Sequence, residues 1–90
     1  MYLFLGQSTV IREREVIGVF DLDNASTSAT TKAFLKSAQQ GGQIVEVSPG
    51  ELPKSFVVCV DKDGITRVYL SQMATATLRK RTKEQLTIES

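Results

Sequence analysis

Histidine is absent from this 90-residue chain, and cysteine appears once. Without an imidazole there is no His-centred general acid or base, no Ser–His or Cys–His nucleophile, and no zinc site of the Cys/His kind. A lone thiol excludes an internal disulfide. Tryptophan is missing, and the two prolines fall within one short loop, so there is no proline-rich linker. An excess of one charge is missing too. Eleven basic residues against 10 acidic leave a net charge of +1, which excludes a strongly basic nucleic-acid-coating protein but not a locally basic face. No apolar run approaches the roughly 18 residues of a membrane span. The opening Met1-Tyr2-Leu3-Phe4-Leu5 lacks a basic start and runs into Gly6-Gln7, unlike a secretory signal. With a single cysteine, this predicts a cytoplasmic protein.

What is present is ordinary globular material, 41% hydrophobic and 23% charged. One small domain is expected over residues 1–83, with residues 84–90 a tail of little pattern. The first half reads mostly as strands: Tyr2–Leu5, a turn at Gly6-Gln7, Ser8–Ile11, four alternating charges Arg12-Glu13-Arg14-Glu15, then Val16–Leu22. Apolar residues on both alternating faces of Val16–Leu22 predict burial on both sides, and Gly18 in mid-strand predicts a bend or a closely approaching neighbour.

Asp23-Asn24-Ala25-Ser26-Thr27 is a turn and helix-start cluster. A helix is expected from about Ser28 to Gln40, burying a narrow face of Ala33, Phe34 and Ala38 with Thr30 and Ser37, and ending at Gly41-Gly42. Lys32 and Lys36 fall on the other side. Gln43–Val47 is a strand of mixed polarity, and Ser48–Lys54 a loop holding Pro49, Gly50 and Pro53. Ser55–Val60 and Ile65–Leu70 form a hairpin about the turn Asp61-Lys62-Asp63-Gly64. Ser71 is placed to cap a short helix from Gln72 to about Lys83, with Leu78 on its inner face. The expected fold is α+β: a small mixed or antiparallel sheet of about six short strands, one central helix and one C-terminal helix.

Enzyme chemistry finds little to stand on. Asp21-Leu22-Asp23-Asn24 superficially resembles a calcium loop, but Ala25, Ser26 and Lys32 occupy the positions that need an oxygen ligand, a glycine and a glutamate. Glu13, Glu15, Glu46 and Glu51 are read as solvated or salt-paired charges, since no spacing places a pair in a cleft. No glycine-rich phosphate loop precedes a helix. Cys59 lies in the apolar run Phe56–Val60 and is read as a small buried residue. No enzymatic activity, cofactor or metal is expected, and no small-molecule substrate is evident.

Basic residues carry more information by placement than by number. Arg79-Lys80-Arg81-Thr82-Lys83 concentrates cations that gain by displacing phosphate counterions, although the same charges also suit the C-terminal end of a helix dipole. Arg12 and Arg14 point to one side if the backbone there is extended. Lys54 opens the apolar strand Ser55–Val60.

The order of Met1-Tyr2-Leu3-Phe4-Leu5-Gly6, Val16-Ile17-Gly18-Val19-Phe20-Asp21, Pro53-Lys54-Ser55-Phe56-Val57-Val58 and Ala76-Thr77-Leu78-Arg79-Lys80-Arg81 resembles the RemB-like branch of the RemA/RemB bacterial extracellular-matrix (biofilm) regulators, over roughly residues 1–82. The resemblance implies a DNA-binding transcriptional regulator of matrix operons with a fold like the LytTR type of DNA-binding domain. It also implies assembly into a closed homo-oligomeric ring whose basic residues face double-stranded DNA. RemA-type members carry an Arg at the entry to the strand matching Val16–Leu22, which falls here at or beside Arg14, with Glu15 the other aligned position. Their Arg pair before the strand matching Ser55–Val60 falls on Glu51-Leu52 and is absent, while Lys54 matches a basic position just after it. The expected DNA contacts are therefore Arg12, Arg14 and Lys54, with Arg79, Lys80 and Arg81 behind them. A second expectation, from the missing Arg pair and the near-neutral charge, is an oligomeric structural or adaptor protein that binds a protein partner and no DNA. Convergence of Arg12, Arg14 and Lys54 on one exposed rim favours DNA. Scatter, or pairing with Glu13, Glu15 and Glu51, favours the adaptor.

Overall fold

The structure is a computed structural model and describes residues 2–7, 9–22, 28–78 and Lys80. Six strands run β1 Tyr2–Gly6, β2 Thr9–Arg12, β3 Val16–Asp21, β4 Ile44–Glu46, β5 Ser55–Val60 and β6 Thr66–Ser71, with α1 spanning Ala29–Gln40. A short C-terminal helix, α2, includes residues 75–78 and Lys80. The six expected strands form two sheets rather than one: a β1–β2 hairpin, and a four-stranded sheet in the order β3-β5-β6-β4.

Polarity dictates this arrangement. β5 is buried on both faces over Ser55–Cys59, so it takes a central position. Val57 and Cys59 point to one side and Phe56 and Val58 to the other, as the two-residue period of a strand requires. On the first side they meet Leu3, Leu5 and Ile11 of the hairpin, Val47, and Leu78 of α2. On the second side Phe56, Val58 and Val68 meet Ala38 and Leu35 of α1. The sheet thus lies between the hairpin and α1. Leu3 and Leu5, both 0% exposed, contribute roughly 3–6 kcal/mol through burial.

β3 and β4 are both parallel to β6 and occupy opposite edges, with the β5–β6 hairpin between them. A parallel connection needs a crossover, and α1 supplies it by passing over the sheet. Ser28 Oγ accepts from the Thr31 N–H at 3.4 Å to start α1. Gly42, at φ +70°, ends it in the left-handed conformation, and the Gln43 N–H reaches back to the Ala38 carbonyl.

Four expectations are corrected. The inward face of α1 is buried Ala38 with half-buried Thr31 and Leu35; Thr30, Ala33 and Ser37 are exposed, and Phe34 lies at the flank. β3 is an edge strand, not one buried on both sides. A bulge between Val16 and Gly18 puts an extra residue in the ladder, and Ile17 is left 66% exposed. Gly18 does have the close neighbour expected: a Cβ there would sit 2.7 Å from two ring carbons of Phe20. The backbone is not extended from Arg12 through to Arg14: Arg12 is, but Glu13–Glu15 forms a 3-10 turn joining the hairpin to the sheet. Finally, Ser71 does not cap α2. Its Oγ accepts from the Met73 N–H and donates to the Leu5 carbonyl, and α2 starts from the Ala74 carbonyl, which accepts from Thr77 and Leu78. Cys59 is buried, as its apolar run implies.

Candidate functional site

Arg12 ends β2 and Arg14 occupies the middle of the 3-10 turn; both are exposed. The intervening acids behave differently. Glu13 and Glu15 are half-buried, and Glu13 Oε2 is fully covered without a hydrogen-bond partner among the described residues. Glu15 lies near enough to Cys59 and Tyr69 to push both groups upward, although burial is the larger cause for each. The tight turn thus directs the carboxylates inward and the guanidinium groups outward. Among the described residues, the only ion pair joins Arg67 to Asp61, at 2.9 Å, so no described carboxylate pairs with Arg12 or Arg14.

Lys54 is exposed as well, but it sits elsewhere. Its N–H donates to the Ser71 carbonyl, and its own carbonyl accepts from Leu22, which ties it to the Asp21–Ser55 end of the β3–β5 ladder. Arg12 and Arg14 precede Val16, at the other end. Val16 to Asp21 is five strand steps, about 17 Å. One protomer therefore holds two separate cationic points rather than one patch. Lys80 is exposed on α2, while Arg79 and Arg81 lie outside the described residues.

Two lysines without a part in the expected site share a groove. Lys32 and Lys36, one turn apart on α1, line an open groove of about 400 Å³ floored by Leu22, Leu35, Ile44 and Leu70, and Pro53 forms part of its rim. The available signal was their four-residue spacing without a compensating acid on the same helical face. Glu46 on the same groove moderates their charge.

A second group missed by sequence reasoning is apolar. Ile17, Phe20, Phe34, Phe56 and Val58 line an open groove of about 320 Å³ between the β3 edge and α1, with Thr30 and Thr31 beside them. Phe56 stacks on Phe20 at 5.0 Å between ring centroids and on Phe34 at 6.4 Å. On the opposite side of the molecule, Tyr2, Phe4 and Val10 are exposed on the outer face of the β1–β2 hairpin.

The described residues offer no cluster of metal-ligating side chains and no helix long and apolar enough to cross a membrane. The arrangement suits binding at its surface: isolated cations at two ends and apolar patches on two faces.

Comparison with known proteins gives the family. The chain is 34% identical over 90 residues to Extracellular matrix regulatory protein B of Bacillus subtilis (strain 168), with 100% of both chains covered. The model of the RemA-like family, described as extracellular matrix regulatory protein A-like, matches residues 3–82. A match across nearly the whole described fold, hairpin to α2, places the chain: it belongs to the RemA-like family of extracellular matrix regulatory proteins.

Proposed function

We propose that this chain is a cytoplasmic, non-enzymatic transcriptional regulator of extracellular-matrix (biofilm) genes that binds double-stranded DNA as a homo-oligomeric ring. The LytTR-type fold likeness implied by the family resemblance belongs to the same reading. The observation that carries it is the outward disposition of Arg12 and Arg14, without an ion-pair partner among the described residues, against the inward disposition of Glu13 and Glu15. A protomer with net charge +1 holds DNA weakly by itself. Repeated copies change this, because the first contact raises the effective concentration of the next. The distance between Arg14 and Lys54 then matters less, since neighbouring protomers repeat both points along the phosphate backbone. Repeated phosphate contacts favour readout of DNA bendability over base edges.

Fluorescence anisotropy on a labelled promoter duplex tests this reading. Binding weakens steeply between about 50 and 300 mM salt. Arg14→Ala lowers affinity without changing the assembly. Salt-independent binding, or an Arg14→Ala protein with unchanged affinity, contradicts it.

A protein-binding adaptor is the second reading, and one observation favours it. Glu51-Leu52 stands where RemA-type members are expected to carry an Arg pair, and Leu52 is 87% exposed, the chemistry of a protein contact rather than a phosphate contact. Absence of duplex binding by an intact oligomer would select it.

A further inference from the structure

The groove under α1 opens at one end of the four-stranded sheet. β3, β4 and β6 run parallel, and Leu22, Glu46 and Leu70 stand at or just past their carboxyl ends. Open α/β sheets hold ligands in this position, in the crevice outside the carboxyl ends of the strands. The volume of about 400 Å³ falls within the range of small-molecule sites, roughly 300–1,000 Å³. Its floor is apolar. Leu35, Ile44 and Leu70 each pack part of their surface against the cluster of Ala38, Phe56, Val58 and Val68 and turn the rest to the groove, so they stay half-buried. One wall carries charge. Lys32 and Lys36 stand four residues apart on α1, hence on one face, and both are exposed without an ion-pair partner among the described residues. Glu46 follows Ile44 by two residues and so shares its face of β4.

We propose that this groove binds a small single-chain carboxylate, its hydrocarbon body lying on Leu35, Ile44 and Leu70 and its head between Lys32 and Lys36. The site uses none of Arg12, Arg14 and Lys54, so it stands apart from the DNA-binding reading. Charge complementarity selects the occupant. Two lysines against one Glu46 leave the groove one formal positive charge. A carboxylate neutralises that charge, whereas a dianionic phosphate would leave the groove net negative. Glu46 also sets the sense of binding, because it repels the head from the β4 side and toward α1. Duplex DNA would satisfy the lysines and leave the apolar floor in water; a neutral hydrocarbon would do the reverse. A chain ending in one carboxylate meets both. The lysine stems extend the apolar wall while their ammonium groups reach the rim, where the head keeps part of its hydration.

Titration of the full chain with sodium decanoate, read by methyl and amide NMR shifts, tests the site, with 1-decanol as the uncharged control. Decanoate shifts Leu35, Ile44 and Leu70 saturably below the concentration at which it forms micelles, and it binds more tightly than 1-decanol. Lys32→Gln together with Lys36→Gln weakens decanoate about three- to tenfold and leaves 1-decanol unchanged. Both lysines are exposed, so the double variant keeps the fold, which circular dichroism verifies. Glu46→Gln acts in the opposite sense and tightens decanoate about two- to threefold. Equal affinity for decanoate and 1-decanol, shifts centred on other residues, or shifts that appear only with micelles would each overturn the proposal. So would binding to phosphatidylglycerol vesicles with no response to free decanoate. A protein that binds decanoate and no duplex DNA supports the site and removes the DNA reading alone.

Discussion

Ser55 and Ser71 face each other across the β5–β6 ladder, and each fastens a different segment to the sheet. Ser71 Oγ donates to the Leu5 carbonyl of the hairpin at 2.7 Å, and Ser55 Oγ donates to the Met73 carbonyl ahead of α2 at 2.7 Å. Both side chains are 0% exposed. The pair forms the polar end of an otherwise apolar layer and holds the hairpin and α2 in place over it.

Removing either hydroxyl leaves a carbonyl without its donor. Ser55→Ala costs about 1–2 kcal/mol by urea unfolding. Ser71→Ala costs more, about 2–3 kcal/mol, because its Oγ also accepts from the Met73 N–H. Ser71→Ala also accelerates amide exchange in β1 more than in α1, since the hairpin loses its fastening. Equal protection changes in both elements would contradict the assignment.

The β5–β6 turn makes stability depend on acid. The Asp61 carboxylate accepts from the Ile65 and Asp63 N–H groups and from Arg67, and these contacts, Ile65 first, hold it below its ordinary value of 3.8. A depressed carboxyl contributes stability above its unfolded value and loses it as pH falls through the lower folded value. Thermal unfolding of the wild type therefore weakens below about pH 4 more steeply than that of Asp61→Asn. Parallel profiles for the two proteins would refute this.

At the alkaline end the sign reverses. Burial, with Glu15 adding to it, pushes the Cys59 thiol from 9.0 up to about 11, and burial also raises Tyr69. The neutral forms favour the fold: the thiol's contribution is complete below pH 9.0 and is lost as pH rises through about 11, and that of Tyr69 is lost as its phenol ionises above its ordinary value of 10.0. The native thiol stays unreactive toward a disulfide reagent at pH 8 and reacts at once in denaturant. Immediate native-state labelling would show that the layer over Cys59 opens.

Gly18 lets the Phe20 ring lie over the bulge. Gly18→Ala places a methyl 2.7 Å from two ring carbons, so the ring swings away and its stack on Phe56 is lost, at a cost of about 1 kcal/mol. An unchanged melting temperature would show that Phe20 has room to adjust.

Local chemistry made much of the fold legible in the sequence. The Asp61–Gly64 turn between two apolar runs, and Gly41-Gly42 after a helical stretch, act within a few residues and were recognisable without the rest of the chain. Features set by the crossover were not. The rotation of α1, which buries Leu35 and leaves Ala33 exposed, follows from how the helix passes over β5 and β6. Ser71 has the composition of a helix cap, but tertiary demand from the Leu5 carbonyl redirected its hydroxyl. At the site, the charges of Arg12, Arg14 and Lys54 were legible and their separation was not. Separation depends on which end of the β3–β5 ladder each one joins. Ile17 and Phe20 read as buried because apolar residues on both alternating faces suit a central strand, whereas the edge position and the bulge of β3 leave them exposed.

The central claim is that assembly converts weak cationic protomers into a DNA binder. Its most direct test follows binding of the wild type to one labelled duplex across a salt series, at protein concentrations above and below the one at which light scattering shows assembled protein falling to monomer. The account predicts an affinity at least about tenfold weaker for the monomer, with a shallower salt slope. Equal affinity and equal slope for the two states would contradict it.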